Sequence, residues 1–177
     1  MHIADNVKKL RDAISEAALS SGRVPDDIKL VAISKTKPVY QIRQAIDAGV
    51  DAVGENRVQE MMQKYEQEAY KGAPLHFVGH LQSNKVSKVV GVCDLIESVS
   101  SKSLVESIGK RAVSLGITQN ILIEVNIGRE SQKTGVMPEH TEEILALASQ
   151  TKGIKVLGLM AIPPIFSKND KNFSYRR

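Results

Sequence analysis

Tryptophan is absent from this chain, aromatic residues make up only 4% of it, and cysteine occurs once, as Cys93. A single cysteine excludes an internal disulfide framework, so a reducing cytoplasm is the expected compartment. Lying just before a predicted strand, Cys93 reads as a small buried hydrophobe. So few aromatic rings make poor material for stacking bases, and the formal net charge of +4 is spread along the chain. Nucleic acid is therefore not an expected partner, and a small anion such as a phosphate suits the mild positive field at least as well. No apolar run reaches transmembrane length, and residues 1–20 read as a polar, amphipathic helix without a signal-peptide core. No membrane partner is expected either. The Gly-rich dinucleotide fingerprint is also missing after the first predicted strand.

What is present is enough for one globular domain. The 177 residues are 42% hydrophobic and 25% charged, long and apolar enough to bury a core. Ile3, Val7, Leu10, Ile14 and Ala17 recur at helical spacing and predict a first helix. An apolar run with β-branched members predicts a strand from Lys29 to Ser34, and Pro38 then opens a helix through Val39, Ile42 and Ile46. A short strand, Asp51 to Val53, runs into Gly54-Glu55-Asn56-Arg57. A helix follows with Val58, Met61, Met62 and Tyr65 on one side. Three further strands, Leu75 to Val78, Asp94 to Val99 and Asn120 to Asn126, alternate with helices carrying Val86 and Val89, then Leu104, Ile108 and Ala112. The loop from Ile127 to Met137 is long. Pro138 opens a helix with Ile144, Leu145 and Ala148, and Lys155 to Met160 is the sixth strand.

Strict strand–helix alternation with near-continuous apolar strands predicts a parallel sheet covered by crossover helices. Two architectures satisfy it, an open doubly wound sheet and a (β/α)8 TIM-barrel-like fold. The missing fingerprint and the polar residues at the C-terminal ends of several strands favour the barrel. Only about six of the eight strand–helix units are visible. Residues 1–164 read as an incomplete barrel domain and residues 165–177 as a polar, basic C-terminal tail. An unclosed barrel of this kind would leave two sheet edges exposed.

The strand ends deliver Lys35 and Lys37, then Glu55 and Asn56, then His80 with Gln82 and Asn84. Beyond them come Glu97 and Ser98, Glu124 and Asn126, and Met160. A lysine at the end of a sheet is costly to desolvate, which would lower its pKa and free its amine to attack a carbonyl. Lys35, ringed by amides, a histidine and carboxylates, makes a workable Schiff-base site. Each residue also has a plainer reading: Lys35 and Lys37 as solvated charges, Asn56 as a turn residue, and His80 as a surface histidine. Met160 reads equally as core, His76 as packing, and Lys133 as a solvated loop lysine. Glu124 on an apolar strand is harder to dismiss, because a barrel-lining carboxylate needs a partner.

Five stretches, in order, carry a resemblance. They are Val31-Ala32-Ile33-Ser34-Lys35-Thr36-Lys37-Pro38, Gly54-Glu55-Asn56-Arg57-Val58-Gln59-Glu60, and His76-Phe77-Val78-Gly79-His80-Leu81-Gln82-Ser83-Asn84-Lys85. Val125-Asn126-Ile127 with Lys133-Thr134-Gly135, and Gly158-Leu159-Met160-Ala161-Ile162-Pro163, complete the set. Together they resemble the pyridoxal phosphate homeostasis proteins, from the first helix to about Pro164. The resemblance implies a fold-type III barrel like the N-terminal domain of alanine racemase, holding pyridoxal 5'-phosphate (PLP) as an internal aldimine. Lys35 matches the family's Schiff-base lysine, and Asn56, His80 and Met160 match positions that face the cofactor. Members lack the racemase's second domain, so the resemblance implies a PLP carrier or regulator of PLP and amino-acid pools rather than an enzyme; a monomer is expected.

The sequence departs from the family after Pro164. A Ser-Met-Gly-Met-Ser-type segment and an Arg-Ile-Gly-type segment supply the family's phosphate cradle and the arginine facing the pyridine nitrogen, and neither occurs here. The expectation is a C-terminally shortened chain that keeps its lysine and loses most phosphate affinity. Two other readings stay open: a racemase-like or other Schiff-base enzyme using Lys35, and a non-functional fragment without its phosphate site.

Overall fold

The computed structural model describes residues 2–164. The tail assigned to residues 165–177 lies outside the described residues. Six strands form one sheet: β1 (Val31–Ile33), β2 (Ala52–Glu55), β3 (Leu75–Phe77), β4 (Leu95–Val99), β5 (Gln119–Glu124) and β6 (Ile154–Met160). All neighbours are parallel, and the strands lie in chain order from β1 to β6. That order decides between the two architectures. A doubly wound sheet reverses its strand order at a switch point, whereas a barrel wall adds each strand beside the last. The fold is a six-strand part of a (β/α) barrel.

Helices α1 (Ile3–Ser20), α2 (Val39–Asp47), α3 (Val58–Glu66), α4 (Val86–Val89), α5 (Lys102–Ser114) and α6 (Thr141–Gln150) alternate with the strands. The core lies between sheet and helices, where Val53, Phe77, Ile96, Ile121 and Ile123 meet Met61, Val89, Val105, Ile108 and Ala148, all fully buried. Among the described residues no helix is long and apolar enough to cross a membrane. The serine-rich loop before α5 supplies its cap, with the Ser101 hydroxyl accepting from the Leu104 amide at 3.2 Å. Cys93 is buried as expected, its Sγ 3.3 Å from Met61 Sδ, and burial pushes its thiol up to about 12.

Two boundaries differ from the sequence reading in ways that matter. The first strand is shorter, because the Leu30 amide bonds the Asp51 carboxylate at 2.6 Å instead of a neighbouring strand. The second strand runs on through Glu55, which is fully buried instead of opening the following loop. On α3, the residue turned inward after Val58 and Met61 is Lys64, while Tyr65 is about half exposed. The reason is electrostatic: Lys64 goes in because Glu55 is there to meet it.

Candidate functional site at the C-terminal rim of the sheet

Parallel strands bring all their C-terminal ends to one rim, and the first of those ends carries Lys35. Ile33 pairs with Gly54, and Gly54 pairs with His76. Lys35 and Asn56 therefore leave adjacent strands two residues beyond a shared register, with Gly79-His80 following on the next strand. Lys35 is exposed, so the desolvation expected for it is not found. Its main chain, by contrast, is tightly held. The Ser34 amide bonds the Gly54 carbonyl at 2.9 Å, and the Lys37 amide closes the turn onto the Ser34 carbonyl at 3.0 Å. Thr36, inside that turn, has φ of +62°, a left-handed conformation rare for a β-branched residue.

Behind the turn is a buried ionic cluster. Lys64 Nζ donates to Glu55 Oε1 at 2.6 Å, to Glu60 Oε1 at 2.7 Å and to the Ser34 carbonyl at 2.8 Å. Glu55 Oε1 also accepts from the Ser34 hydroxyl at 2.6 Å and from the Tyr70 hydroxyl at 3.1 Å. Glu60 Oε1 accepts from the Thr36 amide at 2.5 Å. Glu55 is 0% exposed and Lys64 7%, so both charges are out of water and depend on these partners. Lys64 and the Thr36 amide hold the Glu60 carboxyl below its ordinary value, against the burial that opposes them. Burial first, then the Glu55 charge, pushes the Tyr70 phenol far upward, keeping it a neutral donor. Sequence reading took Glu55 as a rim carboxylate and passed over Lys64, Glu60 and Tyr70. The available signal was a lysine at i+3 from Met61 inside an otherwise apolar stripe.

Asn56 is half-buried, and its Oδ1 is buried without a hydrogen-bond partner among the described residues. Gly79 permits the close approach beside it, since a Cβ there would lie 2.0 Å from the Asn56 carbonyl oxygen. His80 is exposed in the loop that follows. His76 does more than pack: its Nδ1 lies 2.6 Å from Glu97 Oε1, joining β3 to β4. Lys37 is exposed.

Across the sheet, Met160 ends β6, half-buried and in register with Glu124. Glu124 is buried; its Oε1 accepts from the Thr134 hydroxyl at 2.7 Å, and among the described residues its Oε2 has no partner. Asn126 anchors the long loop, donating from Nδ2 to the Glu130 carbonyl at 2.9 Å and accepting from the Glu130 amide at 3.2 Å. Gly135 lets that loop close, because its φ of +114° and a Cβ position 2.6 Å from the Asn126 amide nitrogen both exclude a side chain. Lys133 pairs with Glu130 at 2.5 Å and reaches the Pro163 carbonyl at 3.3 Å, so it is not a free charge. The structure thus groups Lys35, Asn56 and His80 at neighbouring strand ends, with Met160 at the far strand of the same rim.

The family described as alanine racemase, N-terminal domain, matches residues 2–176. A pyridoxal phosphate homeostasis protein from Aquifex aeolicus (strain VF5) is 42% identical over 166 residues, covering 93% of this chain and 72% of the relative. Among solved structures, an unknown protein from Bifidobacterium adolescentis superposes with a TM-score of 0.85 at 40% identity, over 91% of this chain and 69% of that one. PipY of Synechococcus elongatus PCC7942, solved with PLP bound, superposes with a TM-score of 0.73 at 34% identity, over 88% of this chain and 73% of PipY.

Proposed function

Because the chain belongs to the alanine racemase N-terminal domain family, with the pyridoxal phosphate homeostasis proteins as its relatives, we propose that it binds PLP through Lys35 and serves to carry or buffer the cofactor inside the cell. The observation that carries the reading is the rim itself: an exposed lysine on a turn held by main-chain hydrogen bonds, beside an asparagine whose buried Oδ1 has no donor among the described residues. Those residues fit the aldehyde end of the cofactor, and none of them stands in for the family's phosphate cradle. Lys35 offers a primary amine open to solvent, Asn56 an acceptor without a donor among the described residues, and His80 an exposed imidazole on the neighbouring strand end. Met160 lines the far side as a polarizable apolar contact.

When bound, PLP supplies an aldehyde that condenses with a primary amine. Everything else is the work of this chain. The Lys35 turn fixes where the amine starts, Asn56 and His80 orient polar groups, and the β5–β6 rim bounds the site. The reading extends to residues 1–164 as one cofactor-binding unit, acting as a cytoplasmic monomer without turnover of its own. Support for carriage over catalysis comes from the relatives, which are named for homeostasis.

The test is covalent trapping. The protein is incubated with PLP, reduced with borohydride and digested, and the modified peptide is located by mass spectrometry. The expected adduct is on Lys35 and disappears in Lys35→Ala. An adduct of undiminished yield in Lys35→Ala would overturn the assignment. Turnover of an amino acid that is lost in the same variant would instead favour an enzyme.

A further inference from the structure

The Lys35 turn contains a conflict that the ionic cluster resolves. A β-branched residue at φ +62° is strained, and it persists only where its surroundings impose it. Here the imposition is specific. Glu60 takes the Thr36 amide at 2.5 Å, and Lys64 takes the Ser34 carbonyl at 2.8 Å while also binding Glu60 at 2.7 Å. The main-chain groups on either side of Lys35 are thus gripped by two side chains of one helix, α3, which are themselves paired. Glu55, fully buried on β2, holds Lys64 from below and Ser34 through its hydroxyl. An ion pair that served only to tie α3 to the sheet would have no need of the Thr36 amide or the Ser34 carbonyl.

We propose that Glu60 and Lys64 are positioning residues for Lys35: paired on α3, they hold Thr36 in a left-handed conformation so that the Lys35 amine starts from a fixed point on the rim. The inference rests on the PLP-binding reading above. Neither side chain touches the reacting amine, so their effect passes entirely through the backbone. Placement of a reacting group matters steeply, and a displacement of about 1 Å can lower a rate by about 100-fold.

The test is a double-mutant cycle between Glu60 and Thr36, read as the rate of borohydride-trapped PLP capture on Lys35 alongside the urea midpoint of each variant. Glu60→Ala, at a partly exposed position, is expected to slow capture by about tenfold. Glu60→Gln keeps an oxygen for the Thr36 amide and is expected to capture within about twofold of the parent. Glycine adopts a positive φ without strain, so in a Thr36→Gly background the clamp is no longer needed to enforce the conformation. There the same Glu60→Ala change is expected to cost at most about twofold. A merely structural Glu60 would cost the same in both backgrounds, and that result, or no loss in either, overturns the inference while leaving Lys35 as the PLP lysine. Absence of a Lys35 adduct in the unmodified protein would overturn the functional reading, and the inference with it.

Discussion

Two carboxylates at strand ends of one sheet are treated very differently. Glu55, at the end of β2, is fully buried and shares one oxygen with an ammonium and two hydroxyls, at 2.6, 2.6 and 3.1 Å. Glu124, at the end of β5, is nearly as buried but has a single donor among the described residues, the Thr134 hydroxyl at 2.7 Å. The strands around them differ in the same sense. β2 is buried along its whole length, whereas Leu157 and Leu159 on β6 are 51% and 55% exposed. Polar order is therefore concentrated at the corner where Lys35 leaves the sheet. The β5–β6 rim is held by one hydroxyl, the Asn126 loop and the Lys133–Glu130 pair.

The largest way to break that contrast is Lys64→Met. Two carboxylates, one of them fully buried, would lose their cation, and an unpaired buried charge typically costs about 3–5 kcal/mol. Urea denaturation should show a loss of that size, and a loss no larger than that of an exposed lysine substitution would mean the corner is not the anchor described. At the other rim, Thr134→Val removes the Thr134 hydroxyl from Glu124, and the expected loss is about 1–2 kcal/mol by the same measurement. Equal losses at the two sites would erase the distinction between them.

The smallest effect is one of pH. Glu60 is held below its ordinary value of 4.5 by the Lys64 ammonium and the Thr36 amide. A carboxyl with a depressed folded-state pKa contributes stability that is present above its unfolded value and lost as pH falls through the folded one. The urea midpoint should thus decline below about pH 4.5, and Glu60→Gln should flatten part of that decline. An unchanged slope in the variant would show that Glu60 is not coupled to the fold.

The same contrast explains what could be read from the sequence. β1 to β6 announce themselves because each is an apolar run bounded by turn residues, and their alternation with helices dictates parallel pairing. Lys35, Asn56, His80 and Met160 were legible as rim residues because strand ends are legible. The clamp was not. Glu55 sits two residues past the predicted end of its strand, a boundary that pattern alone does not resolve, and the periodic reading of α3 chose Tyr65 over Lys64 because it counts only apolar residues. Nor does any local signal mark Thr36 as left-handed: glycine or asparagine would have advertised the turn, and threonine conceals it. The pairing of His76 with Glu97 was missed for a related reason, since it joins two strands whose residues lie 21 apart.

The role proposed for Lys35 depends on where the chain holds it. Peptide mapping after PLP trapping tests this directly when every lysine is scored in one experiment, because Lys37, two residues on, is exposed as well. Lys35 is expected to carry nearly all of the adduct at low PLP, with Lys37 and the surface lysines following only at large excess. Equal labelling of Lys35 and Lys37 at low PLP would contradict it.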